Sequence, residues 1–189
     1  MHDGLEGLRY AAFNVVSVMM GTGYANADYN SWGPFSAGLF FIIMFIGGCT
    51  GSTSCGIKVF RFQVLWASLG QHFNRSVYPN GIFVPCFNGR PIGDGVVVAV
   101  QSFFFLYTCS FAGLAIALNM TGLDDLTALS GAATAISNIG SGLDEIIGPA
   151  GTFQPLNDPA KCILSFGMLL GRLELLTAMV LFILRFWRV

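Results

Sequence analysis
Apolar residues fall along this chain in runs of unequal length, and the interruptions are as informative as the runs. Val96 to Leu118, VVVAVQSFFFLYTCSFAGLAIAL, is the one unbroken stretch that reaches the roughly 20 residues a helix needs to cross the hydrocarbon core. Two others are long enough but broken. Pro34 to about Phe73 is opened by the glycine-rich GGCTGSTSCG of residues 47–56, and Cys162 to Trp187 carries Gly171, Arg172 and Glu174 near its middle. Two shorter runs, Tyr10 to Met20 and Leu126 to Ser137, each end in a glycine-containing turn. Their length is that of re-entrant helices, which enter a membrane and stop.

The two short runs match each other. Sliding the chain so that Ser17 falls on Thr134 also places Ala11 on Ala128 and Gly23 on Gly140, so that SVMMGTGYA overlies TAISNIGSG. Each copy continues into a loop and a long, interrupted apolar segment, so the order of parts repeats as well as the residues. The second copy is preceded by the full spanning segment Val96 to Leu118, whereas the first begins at its short helix.

Composition places the pattern in lipid: 54% of the 189 residues are hydrophobic, 10% are charged, and Phe alone occurs 18 times, far from the mix of a soluble domain. A net charge of −1 excludes a basic nucleic-acid binder and an acidic tail, so the expected surroundings are a lipid bilayer and no nucleic acid. Cys49, Cys55, Cys86, Cys109 and Cys162 lie far apart with no C-x-x-C pair, which argues against a zinc site or a disulfide framework; they read as small buried apolar residues. Asp3 and Glu6 stand where a secretory signal carries positive charge, so insertion rests on the internal segments. Lys58, Arg61, Arg75 and Arg90 face only Asp94 over residues 57–95, and Arg185 and Arg188 close the chain. By the positive-inside rule that loop and the C-terminus are cytoplasmic, in a multi-pass protein of the plasma (inner) membrane. Both glycine turns then open outward, where Asp28, Asp124, Asp125, Asp144 and Glu145 gather. Such acids concentrate cations at a pore mouth, or they are ordinary solvated loop residues.

Non-helical backbone inside a membrane is tolerated only where protein buries it or a water-filled cavity wets it. The turns GTGYA, from Gly21 to Ala25, and NIGSG, from Asn138 to Gly142, therefore imply a cavity. Glycine permits the left-handed backbone that points successive carbonyls one way, and rings of carbonyls can replace the hydration shell of a potassium ion. Gly21, Thr22, Gly23 and Tyr24 with Asn138, Ile139, Gly140 and Ser141 are the filter candidates. The ion would sit at the carbonyls of Thr22, Gly23, Ile139 and Gly140, with K+ as cargo and no cofactor in this chain. A G-x-G turn alone is equally a tight turn of a helical membrane protein. The broken stretch Gly47, Gly48, Cys49, Thr50, Gly51, Ser52, Thr53 could supply a movable barrier, its hydroxyls re-satisfying freed backbone groups; small residues of this kind also serve close helix contacts. Gly51 and Gly56 have phosphate-loop spacing, but Ile57 precedes Lys58 and no Ser or Thr follows it, so that motif fails. Arg172, costly in an apolar segment, is expected to face a water-filled path beside the loop, or to hydrogen-bond a neighbouring helix.

Three stretches, GGCTGSTSCGIKVFR, SNIGSGL and LGRLELLTAMVLFILRFWR, together with VVSVMMGTGYANADYNSW, resemble the C-terminal half of the Trk/Ktr/HKT potassium transporter superfamily, closest to its TrkH type. The resemblance implies an all-α membrane protein of tandem helix, pore-helix, helix repeats around one pseudo-fourfold pore, with re-entrant filter loops and a broken inner helix. Residues 1–75 then correspond to a partial third repeat, 76–95 to a cytoplasmic connection and 96–189 to the fourth repeat. It implies an intramembrane gating loop over Gly47 to Gly56 with Arg172 beside it. Its implied partners are the missing N-terminal repeats or companion copies, a second copy in a homodimer of the full-length transporter, and a cytosolic nucleotide-binding subunit of TrkA type. Two positions depart from the family pattern: Met20 and Gly21 precede Thr22 where threonines are common, and Cys55 with Gly56 stands where paired glycines usually end the loop.

Potassium uptake without enzymatic chemistry is thus the expected function. A broken-helix secondary transporter shares the unwound segment but predicts inverted repeats, and a non-functional fragment of the transporter is the other alternative. An intramembrane serine hydrolase using Ser52 or Ser54 with His72 needs nucleophile and base within hydrogen-bond reach, although about 18 residues of helix would separate them by roughly 27 Å.

Overall fold
A computed structural model of the chain describes residues 4–49, 51–52, 54–87, 89–144 and 146–172. Thr50, Thr53, Asp3, Glu145 and the later part of the last apolar run, with Glu174, Arg185 and Arg188, lie outside the described residues. In chain order come α1 (Gly4–Met20), a 3-10 turn (Tyr29–Trp32), α2 (Pro34–Ile43) and α3 (Val59–Val77). A two-residue hairpin, β1 (Cys86–Phe87) against β2 (Arg90–Pro91), precedes α4 (Asp94–Asn119), α5 (Asp125–Ser137) and α6 (Asp158–Arg172). Among the described residues the regular structure is helical apart from that hairpin and one isolated bridge.

α4 has 26 residues, about 39 Å at helical rise, enough to cross a hydrocarbon core of about 30 Å. Among the described residues it is the one helix long and apolar enough to do so. α1 is longer than its apolar run predicts, starting at Gly4 instead of Tyr10. The extra turns, GLEGLR, carry Leu5 and Leu8 in a mixed polar stretch that no apolar-run criterion registers, and Glu6 sits in the first turn, where a negative charge favours the helix dipole. α2 begins with Pro34 at its first position, where the missing N–H costs nothing.

α5 lies at the centre. Every residue from Ser130 to Ser137 is buried, with Ala132, Ala133 and Ala135 wholly enclosed. Small side chains make this possible, because α4 and α6 close on it: a Cβ on Gly167 of α6 would stand 3.0 Å from Leu114 of α4 and 3.2 Å from Ala135 of α5. α1 holds the matching place in the first copy yet buries only Asn14, Ser17 and Val18. The difference lies in what surrounds each helix. Two apolar clusters join the two copies: Val18, Tyr29, Phe40 and Met44 pack against Ala133, Ile139 and Leu143, and Ile57 shares a second cluster with Phe103 and Tyr107.

The cysteines correct the sequence reading. Cys49, Cys86, Cys109 and Cys162 are exposed, Cys55 is half-buried, and all five are free thiols. Burial was expected because a thiol behaves as a small hydrophobe; Cys109 and Cys162 instead lie on exposed faces of α4 and α6, Cys49 in the loop and Cys86 in the hairpin.

Candidate functional site: two turns and a broken helix
Helix α1 ends by hydrogen bonds from the Gly21 amide to the Val18 carbonyl, 3.1 Å, and from the Thr22 amide to the Ser17 carbonyl, 3.0 Å. Helix α5 ends in the same way, Asn138 to Ala135 at 3.2 Å and Ile139 to Thr134 at 3.1 Å. The register is the one that lays Ser17 on Thr134. Positive φ recurs at the same places, 69° at Gly21 and 51° at Asn138, then 72° at Gly23 and 102° at Gly140. Asn138 is the one non-glycine residue among those described with positive φ; asparagine tolerates that conformation better than most, and its Nδ2 is tied to the Met168 carbonyl of α6 at 2.9 Å.

The two turns lie against each other. A Cβ on Gly21 would stand 3.5 Å from the Asn138 carbonyl oxygen, and one on Gly23 would collide with the Ile139 carbonyl and approach Gly140 Cα to 3.7 Å. Position 21 thus meets 138, and 23 meets 139 and 140. Gly140 itself faces open space. Of the remaining filter candidates, Ile139 and Ser141 are buried, while the side chains of Thr22 and Tyr24 are exposed.

Two tyrosines that sequence reasoning missed hold this region. Tyr29 is buried, stacks on Phe40 with ring centroids 4.2 Å apart, and shares a 3.1 Å hydrogen bond with Ser141 Oγ. Burial pushes its phenol above the ordinary value, opposed by the Ser141 hydrogen bond and aided by nearby Asp28, so it stays a neutral hydroxyl. Tyr107 of α4 shares a 2.9 Å bond with Ser137 Oγ at the end of α5. The signal for Tyr29 was the polar pair YN in a loop, which sequence alone does not connect to a turn more than a hundred residues on. The outer acids have structural partners: Asp28 accepts from the Asn30 amide at 3.0 Å, Asp144 from the Thr127 hydroxyl and Asp125 from Asn119 Nδ2 at 2.5 Å.

The opening between α2 and α3 is an ordered loop. Its neck is a parallel bridge between Ile46 and Ile57, with the Gly47 amide donating to the Ile57 carbonyl at 2.9 Å and the Ile57 amide to the Phe45 carbonyl at 3.0 Å. Ser54 Oγ accepts from the Gly48 amide at 2.8 Å and bonds Ser52 Oγ at 2.5 Å, and Ser52 Oγ accepts from the Ser54 amide at 3.0 Å. Serine hydroxyls therefore take the backbone groups that a helix would have paired. Gly47 is enclosed, since a Cβ there would strike the Cys55 carbonyl, whereas Gly51, at φ 92°, and Cys49 are exposed at the tip.

A cavity of about 220 Å³ is bounded by Ser52, Ser54 and Cys55 of the loop, Lys58 and Arg61, Phe103 and Tyr107 of α4, and Gly171 and Arg172 of α6. The Arg172 guanidinium donates to Cys55 Sγ at 3.6 Å, which brings it beside the loop. Arg61 stacks on the Phe103 ring at 3.7 Å. His72 is exposed on α3 and does not line this cavity, while both serine hydroxyls are engaged within the loop. No group of three or more potential metal-ligating side chains occurs among the described residues.

Comparison with known proteins identifies the family and the overall fold. The sequence profile of the TrkH family, described as a cation transport protein, matches residues 6–187. The Trk system potassium uptake protein TrkI of Halomonas elongata is 50% identical over 181 residues, which are 96% of this chain and 37% of that protein. The Trk system potassium uptake protein TrkG of Escherichia coli is 35% identical over 188 residues, covering all of this chain and 38% of its own length. The crystal structure of the potassium transporter TrkH from Vibrio parahaemolyticus superposes with a TM-score of 0.90 at 34% identity, over 99% of this chain and 39% of that one. The chain thus spans less than two-fifths of the relatives it matches, all of them transport proteins and not enzymes by name. It belongs to the TrkH family of cation transport proteins.

Proposed function
We propose that this chain supplies two adjoining units of a potassium path. The carbonyls of Thr22, Gly23, Ile139 and Gly140 take over the hydration of a K+ ion, and the loop from Gly47 to Gly56, with Arg172, gates the path below. The observation that carries this reading is the in-register contact of the two turns, 21 beside 138 and 23 beside 139 and 140. Rotation about a common pore axis puts equal positions at equal levels, whereas the inverted repeats of a broken-helix secondary transporter would run the turns in opposite order. That favours a channel-like filter.

Exposure of the first unit supports further units around the same axis. Val16, Met20 and Tyr24 are 58%, 51% and 76% exposed, while their counterparts Ala133, Ser137 and Ser141 are 0%, 2% and 7% exposed. In the second unit Ala133 and Ser141 are covered by the first, through Phe40, Met44 and Tyr29, and Ser137 by Tyr107 of α4. A preceding unit would cover the first in the same way, and the relatives are more than twice as long. In this reading the complete transporter is a plasma-membrane homodimer with residues 57–95 and the C-terminus cytoplasmic, regulated by a nucleotide-binding subunit of TrkA type.

Potassium uptake in a transport-deficient bacterium, with this segment in a full-length transporter, tests the assignment. Gly140→Ser forces a β-carbon onto φ 102° backbone that faces open space, so it perturbs the carbonyl line without a steric clash. It is expected to reduce conduction and to lower potassium preference. Arg172→Ala is expected to leak, because the cation beside Cys55 is removed. Wild-type flux and ion preference in both variants would refute the roles.

A further inference from the structure
The backbones of the two turns agree, but the hydroxyls behind them act on opposite groups. In the second unit the Gly140 amide donates to Thr134 Oγ1 at 3.0 Å. In the first, Ser17, at the position equivalent to Thr134, donates its hydroxyl at 2.5 Å to the carbonyl of Tyr24, which is the counterpart of Ser141, one residue beyond that of Gly140. Thr22 completes the arrangement. Its Oγ1 is 2.9 Å from Ser17 Oγ and 3.1 Å from the Ser17 carbonyl, so the Thr22 proton points to Ser17 while the Ser17 proton is committed to Tyr24. Ser17 is buried, where such a bond is not exchanged for one to water. In the matching place of the second unit stands Ile139, which has no hydroxyl to contribute.

We propose that Ser17 is a specificity-determining positioning residue, whose hydroxyl holds the Tyr24 carbonyl back from the ion path, so that the first turn presents only the Thr22 and Gly23 carbonyls to the ion. The inference rests on the filter reading above. A carbonyl oxygen accepting a short hydrogen bond from behind offers less electron density to an ion in front, and its orientation is fixed by the donor. Selectivity depends on the number and field strength of coordinating carbonyls, and Thr22 is the residue that orients the Ser17 hydroxyl. The unequal turns make the ring asymmetric by construction.

The test uses the full-length transporter in liposomes, with the ratio of K+ to Na+ uptake measured separately from the maximal K+ rate. Ser17→Ala and the near-isosteric Ser17→Cys remove or weaken the donor, and Ser17→Thr keeps it; Gly140→Ser reports on the filter itself. The expected result is a K+/Na+ ratio changed roughly threefold to tenfold in Ser17→Ala, the range one net hydrogen bond spans, with a smaller change in Ser17→Cys and the original ratio in Ser17→Thr. An unchanged ratio in Ser17→Ala and Ser17→Cys, with Gly140→Ser altered, overturns this role and leaves the filter. A ratio altered equally in Ser17→Thr also overturns it, as a packing effect. If Gly140→Ser is unchanged as well, the filter reading falls with it.

Discussion

Gly23 and Gly140 occupy equivalent places with positive φ, yet they are not equally tolerant. A β-carbon on Gly23 collides with the Ile139 carbonyl, whereas one on Gly140 meets nothing within 4 Å. Both alanine variants bear the strain of an unfavourable backbone, of order 1–3 kcal/mol, and only Gly23→Ala adds the clash. Potassium uptake is therefore expected to vanish in Gly23→Ala and to persist, reduced, in Gly140→Ala at equal membrane abundance; the reverse order would contradict the placement of the turns. At this scale the sequence was most legible where chemistry is local. The left-handed positions follow from glycine itself, and Ser17 on Thr134 follows from the repeat. Tyr29 was not legible, since its bond to Ser141 joins segments more than a hundred residues apart and no local pattern encodes such a contact. Cys109 and Cys162 misled for a different reason: the rule that apolar means inside assumes water outside.

Among the elements, the broken helix was legible as a break but not as a structure. Glycines and hydroxyls from Gly47 to Gly56 announced non-helical backbone, while the neck between Ile46 and Ile57, two β-branched residues that read as continuing helix, is a parallel bridge. Helical order already ends after Ile43, because the bridge recruits the residues before the first glycine. The loop then depends on Ser54. Its hydroxyl accepts from the Gly48 amide and meets Ser52, so Ser54→Ala leaves a backbone donor without that partner, a loss of about 1–3 kcal/mol where the group is buried. The expected outcome is a loop that opens more readily, seen as raised resting K+ leak through the full-length transporter, with Ser54→Thr close to the original. An unchanged leak would show that the hydroxyl does not hold the loop. The start of α1 was hidden by the same limitation in milder form, since Gly4 to Arg9 form helix without forming an apolar run.

As a whole, the two halves of the molecule meet in two apolar clusters, one around Phe103 and Tyr107 with Ile57, and one around Phe40. Phe40 is nearly inaccessible, stacked on Tyr29 and packed with Met44 against Ala133, Ile139 and Leu143. Truncating a buried Phe costs about 3–5 kcal/mol. Phe40→Ala is thus expected to lower the thermal midpoint of the detergent-solubilised full-length transporter markedly, with Phe105→Ala, on the exposed side of α4, nearly neutral. Equal effects would mean that the units are held together elsewhere. The helical fold was readable at this scale because its hydropathy runs lie within continuous segments of the chain. The contact around Phe40 was not, because it is built from single residues of five separate segments.

The most direct measurement is the anomalous signal of Rb+, a potassium surrogate, in crystals of the full-length transporter containing this segment. Potassium-like coordination predicts Rb+ on the axis between the two turns, ligated by the carbonyl oxygens of Thr22, Gly23, Ile139 and Gly140. Rb+ bound elsewhere in the path, with those carbonyls hydrogen-bonded within the protein or turned outward, would contradict it.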